Sequence, residues 1–311
     1  MVQLLPFCGW RYDLSQVGAL SEVLAPPAEL IEESLQRELY RRHPCNSVRL
    51  ISNRDEPGDT SPADRTNRAD DFFRLWKRER ILIREHDSAL YVVETTFPFE
   101  GLELSRWSVT ALLRLPEPAN SGEFAGDVDS ADPVRERLAL RQTCRAGFEP
   151  VVGLLEAART GADAESESLP DLLESLVRQV PPIESFGDDG TRHRLWPLAD
   201  RESRGAIADR FTNLSLRLIS GATEYAAAIQ YRDELIVAGR MTDPNDPAQF
   251  VMGCFISVED PGLMVTCPTT HEPDFLPSAR RSEVLRTSGL RLHPPVPVGL
   301  VFAVMDHCVS V

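Results

Sequence analysis

The chain has 311 residues, 42% of them hydrophobic and 26% charged, the composition of one large globular domain or two modest ones. With 33 basic against 48 acidic side chains its formal net charge is −15, which disfavours nucleic acid and anionic membranes as partners. No apolar run is long enough to span a bilayer and residues 1–7 lack the basic region of an export signal, so the expected address is the cytoplasm, with no membrane partner.

In chain order, an apolar start and a turn-rich stretch come first. The acids Glu29, Glu32 and Glu33 after Pro26-Pro27 predict a helix over residues 28–42, because carboxylates favour a helix N-terminus. Val48-Arg49-Leu50-Ile51 reads as a strand, and the polar residues 53–67 read as a loop. Phe72, Phe73, Leu75 and Trp76 at helical spacing predict a helix over 68–80. Residues 89–97 and 107–115 are β-branched and aromatic, which predicts a strand pair. A loop is expected over 116–133, then helices over 135–143 and 151–159. The small and acidic residues 160–168 read as a linker. They suggest an N-terminal α/β half over 1–159, a linker-like loop over 160–170 and a C-terminal α/β half over 171–311.

Beyond the linker, a helix is expected over 169–180, a turn at Gly187-Asp188-Asp189-Gly190 and a strand near 193–196. A helix over 206–211, a buried strand over 214–219 and a long helix over 221–237 come next. Strands over 250–258 and 263–267 flank the turn Asp260-Pro261-Gly262. Trp196, Tyr225 and Tyr231 are expected in the core, since each buries a large apolar area. The alternation of strands and helices predicts a mixed α/β fold, with mixed sheets and flanking helices.

Chemical motifs are sparse. The cysteines Cys8, Cys45, Cys144, Cys254, Cys267 and Cys308 are scattered, which predicts reduced and mostly buried thiols. Lys77 is the only lysine and lies in neither a phosphate-loop nor a Schiff-base setting. The eighteen glycines never fall two apart, and no histidine–cysteine spacing suits a metal. One corner stands out, where the strand over 214–219 meets the long helix through Ser220-Gly221. Free backbone amides and the helix dipole converge at such a corner and favour an anion. Taken alone, it reads as an ordinary β–α turn with Ser220 or Thr223 as the cap.

Short motifs recur in a fixed order along the chain: Pro6-Phe7, Arg11-Tyr12, Pro26-Pro27, His43-Pro44, Ala89-Leu90-Tyr91-Val92 and Arg137-Leu138. Later come His193-Arg194-Leu195-Trp196, Tyr231-Arg232, Asp260-Pro261-Gly262-Leu263 and Pro268-Thr269. In that order they resemble the prokaryotic family catalogued as domain of unknown function 1015 (DUF1015), which is similar to ParB and sulfiredoxin-like proteins. The resemblance implies a phosphate-binding corner of the kind found in free-serine kinases. Ser220, Gly221, Ala222, Thr223 and Tyr225 fall on its anion- or nucleotide-binding positions, and Glu29, His193 and Glu224 are the candidate catalytic groups.

The family pattern at this corner carries Asp, two His and Arg where this chain has Ser220, Ala222, Thr223 and Glu224. An acid at the arginine's place sets a negative charge where a phosphate needs a positive one. Gly126 stands at an expected histidine, Ala28 at an expected aromatic, and Glu272 near an expected arginine. These departures imply a catalytically degenerate member that acts as a binding or regulatory module without cofactor or metal. The alternative is a nucleotide-dependent phosphotransferase using ATP or ADP with magnesium. The chain ends about forty residues after Pro268, sooner than the resemblance leads one to expect.

Overall fold

A computed structural model of the protein describes residues 4–117, 131–157, 167–211, 214–241, 243–266, 273–275 and 290–305. Strands β1 (Leu4–Leu5) and β2 (Trp10–Tyr12) open the chain, followed by short helices α1 (Leu14–Val17) and α2 (Leu20–Val23). Helices α3 (Glu33–Arg42), α4 (Val48–Ile51) and α5 (Pro62–Arg78) lead to β3 (Leu82–Arg84) and the long hairpin β4 (Leu90–Phe99) and β5 (Leu102–Arg114). Next come α6 (Ala131–Cys144), β6 (Ala146–Gly147), β7 (Val151–Ala157) and α7 (Leu169–Val177). The hairpin β8 (Ile183–Phe186) and β9 (Arg192–Leu198) precedes α8 (Arg201–Phe211), β10 (Leu214–Ser220) and α9 (Ala222–Val237). The remaining strands are β11 (Phe250–Ser257), β12 (Met264–Thr266), β13 (Pro273–Phe275), β14 (Arg291–His293) and β15 (Ala303–Val304).

The expected mixed α/β architecture is present, built on one eight-stranded sheet. Its order is β10-β7-β11-β5-β4-β9-β8, with β1 also paired to β5. Every pairing in it is antiparallel except β7 with β11, which run parallel. Strands from both sides of residues 160–170 share this sheet. Alternation along β4 explains its near-continuous burial: Tyr91 and Val93 pack on one face with Phe73 and Trp76 of α5, Leu90 and Val92 on the other with α7 and α8. A sheet covered on both faces needs apolar residues at successive positions, not at alternate ones. Trp196 and Tyr225 lie in this core as expected, while Tyr231 is only half-buried.

Several local expectations are corrected. Residues 151–157 form a strand, not a helix: Leu, Glu and Ala favour a helix locally, but the run is held between β10 and β11 and tertiary pairing overrides propensity. Val48–Ile51 is a helical turn, because Asn46 Oδ1 accepts from Val48 N at 3.0 Å and starts it. Asn46 Nδ2 also donates to the carbonyls of Glu22 and Leu24, fixing that corner. The helix expected over 28–42 is split into a 3₁₀ turn, Ala28–Leu30, and α3. Helix α5 begins earlier than expected, at Pro62, where Asp64 accepts from the Ser61 amide at 2.8 Å. Strand β10 is an edge strand of intermediate burial and not a buried one.

Other expectations are met. The turn at 187–190 closes the β8–β9 hairpin, with Gly187 N donating to Thr191 O. Asp260 accepts from Gly262 N and from Trp107 N, which docks the 260–262 turn on β5. Among the described residues Cys45, Cys144 and Cys254 are buried thiols and Cys8 is a half-buried one, none of them in a disulfide, while Cys267 and Cys308 lie outside the described residues. No helix among the described residues is long and apolar enough to cross a membrane.

The N-terminal segment is pinned by Tyr91, whose fully buried hydroxyl accepts from Gly9 N at 2.6 Å and donates to Phe7 O at 3.0 Å. Removing it with Tyr91→Phe leaves the buried Gly9 amide without a partner, while Phe7 O keeps the bond it accepts from the Ala89 amide at 3.0 Å. The expected loss is about 1–3 kcal/mol, read as a lower urea midpoint at unchanged slope.

Candidate functional site

At the end of β10 the chain passes into α9 through Gly221, whose φ of 82° is left-handed. A Cβ at this position would lie 2.8 Å from the Val151 Cα, so glycine is required by conformation and by space. Gly221 is itself the N-cap residue and no side chain caps the helix, which corrects the expected Ser220 or Thr223 cap. Ser220 Oγ instead donates to Glu29 Oε1 at 3.4 Å. The break between the 3₁₀ turn and α3 is what brings Glu29 across to the corner.

A cleft of about 340 Å³ opens here. Glu29, Ser220, Gly221, Thr223 and Glu224 line it, together with Arg137 of α6 and Glu149 from the loop before β7. Pro27, Pro150, Val152, Val296 and Val298 make much of the remaining wall apolar. Two of the predicted binding positions do not line it: Ala222, and Tyr225, which is 2% exposed and sits in the core. His193 is also elsewhere. It lies in mid-sheet on β9, with Nδ1 3.1 Å from Thr95 Oγ1. Burial, reinforced by the Arg106 charge, pushes its pKa down to about 4, so it is neutral at pH 7.

The electrostatics of the cleft centre on Arg137. Its Nη2 lies 3.2 Å from Glu149 Oε2 and its Nε 3.2 Å from Glu224 Oε1. Its Nη1 donates to the Ile51 carbonyl at 2.7 Å. Burial works against the Arg137 charge, but Glu149 and Glu224 outweigh it and raise the pKa. Glu149 Oε1 also accepts from the Ala28 amide at 2.8 Å. Glu224 is 9% exposed. Burial pushes its pKa up to about 7, with Arg137 pulling it down and Glu149 pushing it further up. Its side chain therefore holds Arg137 and does not project freely into the cleft.

Sequence reasoning carried Arg137 only as part of a motif and missed Glu149. The available signal was an arginine in one helix and acids in two other segments, which is readable only once α6 is known to pack on α9. Gly126, Pro268, Thr269 and Glu272 lie outside the described residues. Among the described residues no group of histidine, cysteine and acidic side chains is arranged to hold a metal ion.

The family model described as protein of unknown function (DUF1015) matches residues 4–268, and the chain belongs to that family. No curated protein and no solved structure matches the chain.

The raised pKa of Glu224 gives a pH signature. Between about pH 4.5 and 7 the folded protein keeps a proton that the unfolded chain has released. The group's contribution to stability is therefore full below about pH 4.5 and falls as pH rises through about 7. Asp260, raised to about 6 by burial, and the depressed His193 titrate in the same range, so the difference from a variant is the clean observable. Chemical denaturation from pH 4.5 to 8 is expected to show the wild type losing stability relative to Glu224→Gln across that interval.

Proposed function

We propose that this DUF1015 member is a non-catalytic binding or regulatory module whose corner cleft takes a neutral or cationic small molecule in place of a phosphate. The observation that carries this reading is that Arg137, the cation lining the cleft, already faces two carboxylates at 3.2 Å. A phosphate entering here would have to displace Glu149 or Glu224 from a desolvated ion pair, and breaking such a pair costs about 3–5 kcal/mol. Glu29, exposed at the cleft and bonded to Ser220, adds a further negative charge. The apolar walls suit the hydrocarbon part of a ligand and the acids suit a donor or cationic end.

The second reading is a nucleotide-dependent phosphotransferase of the ParB-like, free-serine kinase type, using ATP or ADP with magnesium. Its specific support is the left-handed Gly221 at the start of a sixteen-residue helix, beside Ser220 and Glu29 in an open cleft. His193 has no part in it, being buried in the sheet away from the cleft lining.

Thermal shift with ATP, ADP and pyrophosphate, each with and without magnesium, separates the two readings. The binding-module reading expects no shift for the wild type at millimolar ligand. It expects Glu224→Gln, which releases one face of Arg137 without burying a second guanidinium, to gain pyrophosphate binding. Millimolar or tighter nucleotide binding by the wild type would establish the second reading instead.

A further inference from the structure

One turn beyond Arg137 on α6, Arg141 is 3% exposed. Its Nε has no hydrogen-bond partner, and no carboxylate among the described residues lies within ion-pair distance of its guanidinium. Glu224, whose charge it feels, is ion-paired to Arg137 instead. Burial holds the Arg141 pKa down, with Glu224 and Tyr231 opposing in part. A guanidinium nonetheless stays charged at any pH the folded protein meets.

The Arg141 side chain borders a small cavity of about 20 Å³, walled also by Phe7, Leu112, Gly147, Phe250 and Met252. Gly147 keeps the space open, because a Cβ there would stand 3.2 Å from Arg141 Nη2. Apart from Arg141 and Cys8 the lining side chains are apolar, and among the described residues none of them offers the guanidinium a counter-charge. A buried charge that has no ion pair is costly, and a cavity of this size holds one occupant about as large as a water molecule. Water would satisfy a hydrogen bond and leave the charge unanswered. A monovalent anion answers both.

We propose that this cavity binds a halide-sized monovalent anion on the Arg141 guanidinium. The site is separate from the corner cleft and does not depend on what that cleft takes. It gives the protein an anion-dependent stability that links α6 to the β6–β15 pair, since Gly147 belongs to β6 and Val304 of β15 also lines the cavity.

The test replaces sodium gluconate, whose anion is too large for the cavity, with sodium bromide at constant ionic strength. The full-length protein is followed by differential scanning calorimetry. The expected result is a saturable rise in Tm of about 2–4 °C for the wild type. Arg141→Met, which exchanges the charge for an apolar chain of similar length, is expected to abolish the rise. Gly147→Ala, which sets a methyl against the guanidinium, is expected to raise the half-saturating bromide concentration at least about threefold. It keeps the test open if the arginine variant does not fold. A wild type that does not respond to bromide, or an Arg141→Met or Gly147→Ala protein that responds as the wild type does, would overturn the proposal.

Discussion

The arrangement of the corner depends on one ion-pair network, Arg137 held between Glu149 and Glu224. Buried charges persist in proteins only when paired and hydrogen-bonded, and each of these three groups is positioned by a different segment. Arg137 comes from α6, Glu224 from the first turn of α9 and Glu149 from the loop before β7. The remaining polar capacity is also used: Arg137 bonds the Ile51 carbonyl and Glu149 the Ala28 amide. One guanidinium thereby ties α6 and α9 to the N-terminal segments that carry Glu29. Glu224 at the start of α9 is further favoured by the positive end of the helix dipole.

The sheet supplies the frame for that network. Parallel pairing of β7 with β11 and antiparallel pairing of β7 with β10 set the start of β7 beside the end of β10. Gly221 can then pass so close to Val151 that no side chain fits between them. The result is a helix start without a side-chain cap, facing a cleft in which Arg137 is already paired with two acids and Glu29 adds a third. The site is open in shape, and in the reading proposed above its acids, and not its scaffold, are what disfavour a phosphate.

Much of this was legible in the sequence. The hairpin β4–β5, the β8–β9 turn and the passage from β10 through Gly221 to α9 each carry a local signature, and each formed. Where local propensity and tertiary demand conflict, reading failed in a consistent way. Residues 151–157 look helical and become a strand, because they are paired on both sides, antiparallel with β10 and parallel with β11. Val48–Ile51 looks like a strand and becomes a turn of helix, because the Asn46 side chain accepts from the Val48 amide and turns the chain there. At the cleft, Glu29 and Glu224 could be named from a motif alignment, but their meaning could not. Whether Glu224 repels a ligand or neutralises Arg137 depends on a contact between residues 87 positions apart. His193 shows the converse: a histidine inside a shared motif is a buried group bonded to Thr95.

The central claim is that Glu224 and Arg137 are energetically coupled in the folded protein. A double-mutant cycle with Arg137→Met, Glu224→Gln and the pair, followed by urea denaturation at pH 8, measures that coupling directly. The account predicts a favourable coupling of about 1–3 kcal/mol. Additivity of the two substitutions to within about 0.5 kcal/mol would contradict it, for it would leave Arg137 free to meet an anion in the cleft.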